Sequence, residues 1–498
     1  MHLCAGVSAC SSSLVVLLRE GAVGDSKNIF TISWIDRESD FISTSVSGAF
    51  CAQVPKTYLL ERMLRATKRM SIAERPLNRT PNEPRHEKPE KSRSVMRAIG
   101  LGFITGAADD DPSAIGTYAS AGAKFGTAIL WTAPVTFLMM FAVVYLSSKL
   151  GQVTGKGLFA VIRDHYSRWL LHTVLAGVVI GNTFEAAADI GGMAAAINVL
   201  VPIPIGWIIV PVTGMILALQ IWGSYTLIRN IFRWLALSLL AYVGSAIVAK
   251  PDLIDTLRGT FIPTVQFNRE FLSILVAIIG TSLSAYLYTW QSNEEVEEEI
   301  AKGKTELSQR QGASRRELKR TSWDIVSGMF FSNVVMYFII LCTGATLFKA
   351  GKHDINSAAE AAQALHPLAG EAAGILFALG VIAVGFLAVP VMTTGAAYDV
   401  CQVLGWNNSL NAKPAEAKQF YGAIVIFTVI AMVMNYLGIN PMKALVWSGI
   451  VQGFSTPPLL LLIMLMTNNP KIMGEKTNGL AINVLGSITT IAIFASGC

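Results

Sequence analysis

Three consecutive carboxylates, Asp109, Asp110 and Asp111, stand before Pro112 in the middle of AIGLGFITGAADDDPSAIGTYASAGAKFG. Acidic groups in such a position can coordinate a cation, pass a proton or share in acid–base hydrolysis. Glu185 and Asp189 form a second pair at i and i+4, a spacing that places both on one face of a helix. A third polar patch, Gly280, Thr281, Ser282 and Ser284, interrupts LVAIIGTSLSAYLYTWQSNEE, with Tyr286 just beyond it. Gln452 and Asp399 are isolated polar residues in apolar runs, each a candidate member of a polar network, though a helix–helix hydrogen bond is the commoner role. The acidic run Asn293–Glu299 reads as an inner-loop extension of the sixth apolar span, solvated in the commoner case and attracting cations at the exit in the other. Six cysteines without a CxxC pair support neither a disulfide framework nor a zinc knuckle.

The elements that hold these residues follow from composition. Of 498 residues 52% are hydrophobic and 14% charged, and the mean hydropathy is +0.50. So apolar a chain does not hide its surface in one soluble core, and its apolar runs have the ~20-residue length of a membrane-crossing helix. Eleven runs fall near 97–118, 127–149, 169–199, 204–221, 225–248, 272–291, 323–348, 371–402, 418–438, 442–466 and 478–496. They are continuous rather than alternating, which excludes a β-barrel. Residues 1–95 are expected to be a disordered cytoplasmic tail. Its segment AERPLNRTPNEPRHEKPEKSRS is too poor in apolar groups to offset the entropy of ordering. The other reading of the tail is a start placed too far upstream, with Met63, Met70 or Met96 as the true one. No signal peptide is read there.

Lys and Arg collect in alternate loops, including Lys156, Arg163, Arg229, Lys302, Arg310, Arg315, Lys319, Lys413 and Lys471. The positive-inside rule then puts the amino terminus in the cytoplasm and the carboxyl terminus outside, in the plasma membrane. Spans 1 and 6 are damaged as helices, by carboxylates and Pro112 in one and by Gly280–Ser284 in the other. A helix can break at depth only where its freed backbone groups line protein or water. Broken spans five apart imply two five-helix repeats, about 96–248 and 270–466, inverted in the membrane, with 478–496 as an extra helix. That pattern points to a transporter with a midplane site.

The segment Gly100–Trp131 resembles the first helix of the NRAMP divalent-metal transporters, with Asp111, Pro112, Ser113 and Ala114 where that family carries Asp-Pro-Gly-Asn. The similarity continues at VTGKGLFAVIRDHYSRW and IGGMAAAINVL and more loosely through spans 5, 8 and 10. It implies the leucine-transporter fold, an all-α membrane protein of eleven spans. It also implies that Asp111 is a metal ligand. Asp110 is a further candidate and Asp109 belongs to the ion pathway, with capping of the second half-helix as the alternative role, chiefly for Asp109.

Departures from the family pattern bear on the ion. The family Asn falls on Ala114, and its Met-Pro-His falls on Ser284, Ala285 and Tyr286, so the thioether is absent whether Ser284 or Ala285 takes its place. Oxygen donors alone suit Mg²⁺, Ca²⁺ or Mn²⁺. Mg²⁺ dehydrates reluctantly and keeps several waters. The combination is similar to the NRAMP-related magnesium transporters, and the expected cargo is partly hydrated Mg²⁺, with Mn²⁺, moved by alternating access. Glu185 is expected to face the widened site, with Ser282, Ser284, Tyr286 and the carbonyls around Thr281 as partners through water and Asp189 and Gln452 on the pathway. By the resemblance, Asp189 aligns with a Glu that serves proton transfer, and the companion Asp falls on Ala186, so the other readings of Glu185 are its replacement one residue away or a structural pairing with another buried polar group.

Histidines at 2, 86, 165, 172, 353 and 366 lie in the tail, loops or helix ends, so no group that titrates near neutral pH is expected beside the site. Uncoupled uptake is then the expectation. Two charges at about 100 mV are worth roughly 4.6 kcal/mol. The nearest rival is a proton-coupled Mn²⁺ or Fe²⁺ importer. A remote one is an intramembrane aspartyl protease, but Phe103 follows Gly100–Gly102 where such enzymes need Asp, and no Pro-Ala-Leu occurs. The chain is expected to be no enzyme and to hold no cofactor. Its partners are the metal ion and the bilayer, with no nucleic acid, and it is expected to be a monomer.

Overall fold

The computed structural model describes residues 15–21, 29–35 and 42–45, and 100–498 apart from 224, 356, 370, 438–440 and 498. The chain divides into two units, Met1–Glu90 and Lys91–Cys498. In the first, β1 (Val15–Gly21), β2 (Ile29–Ile35) and β3 (Ile42–Ser45) pair antiparallel in sequence order, with Val15 opposite Ile35 and Trp34 opposite Ile42. The sequence reading assigned no strand there. The Pro-rich segment before residue 95 lies outside the described residues.

The second unit is helical. Span 1 is α1 (Leu101–Asp109) and α2 (Pro112–Phe125), span 2 is α3 (Thr132–Thr154), and α4 (Leu158–His165) leads into α5 (Arg168–Leu200), which is span 3. Span 4 is α6 (Ile205–Trp222), and span 5 is α7 (Tyr225–Ser238) with α8 (Leu240–Val248). A connecting α9 (Leu253–Phe261) precedes span 6, which is α10 (Arg269–Ser282) and α11 (Ala285–Ala301). After α12 (Leu307–Arg310) come span 7, α13 (Arg315–Thr343), then α14 (Ala358–Ala369) and span 8, α15 (Glu371–Leu404). Spans 9 to 11 are α16 (Lys418–Tyr436), α17 (Pro441–Thr467) and α19 (Leu480–Gly497), with α18 (Pro470–Met473) before the last. Every expected span meets a helix, and large apolar side chains such as Val210, Met215, Ile430 and Ile491 face outward, as lipid-covered helices require.

Local chemistry sets the helix ends. Ser314 and Glu317 form a capping box for α13, while Asn268 caps α10 and Ser167 caps α5. At Gly102 and Gly106 span 1 packs on span 7 backbone to backbone. A Cβ on Gly106 would lie 2.3 Å from the Gly328 carbonyl oxygen, and one on Gly102 would lie 2.7 Å from Ile325 Cα. This small-xxx-small contact lets the backbones touch. Asp324 of α13 accepts a hydrogen bond from Gly102 N at 2.8 Å, so span 7 supplies the cap that α1 lacks.

One expectation is overturned here. The run Asn293–Glu299 is no solvated loop: it lies within α11, and Glu294, Glu295 and Glu297 are buried. Distant partners make this tolerable. Glu295 accepts from Ser148 at 2.7 Å, Gln152 at 2.7 Å and Gln291 at 2.8 Å. Glu297 accepts from Tyr398, Ser409, Asn411 and the Leu410 amide, which ties α11 to the loop after span 8.

Candidate functional site

The break in span 1 starts with Pro112. Proline has no N–H, so the Ala108 carbonyl loses its i+4 donor and α1 stops at Asp109. The same residue suits the first position of the next helix, and α2 begins with it. Asp111 between them is extended (φ −62°, ψ 166°) and is the N-cap: its Oδ1 accepts from Ala114 N at 2.7 Å and from Ser113 Oγ at 2.5 Å. Ser113 N donates to Asp189 Oδ1 at 3.2 Å. Two carboxylates thus meet the positive end of α2, and the capping role anticipated mainly for Asp109 belongs to Asp111.

Span 6 breaks at Leu283 and Ser284, whose backbones leave the helical region. The Ser284 hydroxyl reaches the Thr281 carbonyl at 3.2 Å, the Gly280 carbonyl at 3.4 Å and Glu185 Oε1 at 3.3 Å. Two residues on, in the other half, the Tyr286 hydroxyl stands 3.0 Å from Asp111 Oδ2 and 3.0 Å from the Ala108 carbonyl, and its one proton is shared between the carboxylate and the carbonyl that Pro112 leaves without a donor. Tyr118 and Ser282 share a hydrogen bond of 2.9 Å behind them.

Glu185 joins the site from span 3. Besides Ser284, it accepts at Oε2 from Gln452 of span 10, which also donates to Ser448 at 3.0 Å. Asp111, Glu185 and Asp189 are mutual electrostatic neighbours. The structure therefore brings together Asp111, Glu185, Asp189, Ser284, Tyr286 and Gln452, with Ala114 giving its amide to Asp111. Ala285, the first residue of α11, is fully buried. Asp110 does not turn to this group: with Asp109 it faces Ser332 of span 7. The sequence reading missed Ser332, for which no local signal existed, and the Ala108 carbonyl, which Pro112 four residues on could have revealed.

Charge balance limits what the arrangement can do. Asp109, Asp110, Asp111, Glu185 and Asp189 are each at most 3% exposed, and Lys149 is the one buried basic side chain among the described residues. Lys149 is engaged elsewhere, with Thr477 O and Asn478 Oδ1. Unpaired buried carboxylates are costly, so a cation or protons must offset them. His165 and His353 bond the Val161 and Ala123 carbonyls, and His172 is exposed. Among the described residues no three His, Cys, Asp or Glu side chains form a ready cage for an ion. Lone-pair accounting explains what is offered instead. Asp111 Oδ1 is filled by two donors, Oδ2 keeps one lone pair beside Tyr286, and Glu185 keeps one lone pair on each oxygen. Such a site leaves most of an ion's coordination to water and to freed backbone carbonyls.

Residues 102–498 match the family described as natural resistance-associated macrophage protein-like, Nramp. A divalent metal cation transporter, MntH, of Klebsiella pneumoniae is 26% identical over 417 residues, covering 82% of this chain and 94% of that protein. An MntH of Mycobacterium tuberculosis is 27% identical over 399 residues, 79% and 89% of the two chains. Among solved structures, a manganese transporter of Eremococcus coleocola superposes with a TM-score of 0.62 at 17% identity, covering 82% of this chain and 88% of that one. A Na⁺-coupled sialic acid symporter gives 0.54 at 13% identity, over 79% and 87%. The fold is that of the leucine transporter, with inverted five-helix repeats and broken spans 1 and 6.

Proposed function

We propose, from the premise that this chain belongs to the Nramp family and is a divalent-metal cation transporter rather than an enzyme, that it imports Mg²⁺, and Mn²⁺ with it, as a partly hydrated ion without proton coupling. The observation that carries this reading is the commitment of Asp111 Oδ1 to the cap of α2, which leaves Asp111 one oxygen for an ion. An ion held by a single Asp111 oxygen, by Glu185 and by carbonyls near Ala108 and Thr281 keeps several waters, as Mg²⁺ does. No thioether stands at Ser284 or Ala285 to favour softer metals. Because every residue of the site is buried, the ion can enter and leave only if the halves of spans 1 and 6 move, which is alternating access. The protein acts as a monomer in the plasma membrane, amino terminus in the cytoplasm.

The second reading is proton-coupled Mn²⁺ or Fe²⁺ import. It is favoured by the manganese transporter among the structural relatives and by Asp189 Oδ2, which has no hydrogen-bond partner among the described residues. Proteoliposomes holding a Mg²⁺ indicator and, separately, a pH indicator decide between the two. Mg²⁺ entry with a silent pH signal supports the first reading. Lumen acidification with Mn²⁺ entry, and exclusion of Mg²⁺, selects the second.

A further inference from the structure

We infer that Asp109, Asp110 and Ser332 form a second cation seat on the span-7 side of the first break, one that takes a hydrated divalent ion. The inference rests on the import of divalent cations proposed above and adds a second ion to it.

Asp109 Oδ2 and Asp110 Oδ1 converge on the Ser332 hydroxyl, at 3.2 and 3.4 Å. That hydroxyl has one proton, so it can satisfy one carboxylate at a time. The other two oxygens, Asp109 Oδ1 and Asp110 Oδ2, have no hydrogen-bond partner among the described residues, and both side chains are 0% exposed. Tyr242 of span 5, within electrostatic reach of Asp110, has a fully buried hydroxyl that likewise lacks a partner. Two carboxylates of span 6 give the contrast. Glu295 and Glu297 are buried too, yet each of their oxygens has a donor.

The ligand class follows from the donors. All are oxygen, two are carboxylate, and among the described residues no buried base is at hand to pair with them, since Lys149 is held by Thr477 and Asn478. Hard oxygen donors with room left on both carboxylates suit Mg²⁺, Ca²⁺ or Mn²⁺ carrying water. The seat differs from the first in its partners, because Asp111 bonds Tyr286 and the first turn of α2 while its two neighbours bond Ser332 of span 7.

Purified full-length protein titrated with Mn²⁺, read by electron paramagnetic resonance, tests this. The expected result is two Mn²⁺ per chain with mutual spin broadening. Asp109→Asn/Asp110→Asn should reduce this to one narrow-line ion, and Ser332→Ala should weaken the second ion ~10-fold. Ser332→Ala removes only a hydroxyl and carries the test by itself if the double variant does not fold. One ion in the unmodified protein, or two ions held equally well after Ser332→Ala, overturns the second seat and leaves the transport reading intact. No Mn²⁺ bound at all overturns both.

Discussion

Tyr286 donates to Asp111 Oδ2 at 3.0 Å, so a phenol on the second half of span 6 touches the carboxylate at the break of span 1. The same hydroxyl faces the Ala108 carbonyl that Pro112 leaves without a donor. Tyr286→Phe removes that hydroxyl with almost no change in shape. That hydroxyl has one proton to divide between the two acceptors, and taking the donor from a buried acceptor costs about 1–3 kcal/mol, so the variant should unfold at lower temperature in detergent. It should also take up Mg²⁺ more slowly, because Asp111 loses the group that orients it. An unchanged melting curve together with unchanged uptake would remove Tyr286 from the site.

Asp111 has two duties that one substitution can separate. Asp111→Ala deletes both the cap, worth about 1 kcal/mol, and the open oxygen, so lost uptake would not say which mattered. Asp111→Ser keeps a good N-cap and removes the charge. We expect Asp111→Ser to fold with near-normal thermal stability and to give no measurable Mg²⁺ uptake in liposomes. Uptake within twofold of the parent would mean that Asp111 is a cap and nothing more.

Selectivity should respond to sulfur at one position and not at its neighbour. Ser284 stands in extended backbone with its hydroxyl against Glu185, whereas Ala285 is wholly enclosed as the first residue of α11. Ser284→Met with Ala114→Asn should therefore admit Cd²⁺, measured by isothermal titration, because a thioether selects softer metals. Ala285→Met should overpack and lower stability by about 1–3 kcal/mol. Cd²⁺ binding by the Ala285→Met protein and not by the Ser284→Met protein would reverse this assignment.

Both breaks were legible because their causes are local. Pro112 beside carboxylates and the Gly280–Ser284 patch cannot continue a helix in hydrocarbon whatever surrounds them. The spans were legible for a similar reason, since each apolar run carries its own length. What sequence alone could not supply was pairing. Glu295 and Glu297 looked solvated because their donors, Ser148, Gln152, Tyr398, Ser409 and Asn411, come from spans 2 and 8 and the loop after span 8. Asp110 was grouped with Asp111 because they are adjacent, but the turn of backbone at the break sends it to Ser332. Gln452, taken alone as a helix–helix bond, ends on Glu185. Features within a few residues of their cause were readable from it, Tyr286 beside Asp111 was reached through the family resemblance, and the donors of Glu295, Glu297 and Asp110, 100 or more residues away, were not.

The position of α1 depends on glycine, and that dependence has a measurable contrast. Gly106 meets the backbone of Gly328, where an added Cβ would be 2.3 Å from a carbonyl oxygen. Backbone cannot rotate aside as a side chain can, so Gly106→Ala must push α1 away from span 7 and shift Asp109, Asp110 and Asp111 with it. Gly422 in span 9 has nothing within 4 Å of the same position, and there alanine is the better helix former by about 0.5–1 kcal/mol. We expect Gly106→Ala to lower the melting temperature and abolish Mg²⁺ uptake, while Gly422→Ala melts at or above the parent and transports normally. If both variants behave alike, the close approach of spans 1 and 7 does not position the carboxylates, and the ion site must be held by spans 3 and 6 alone.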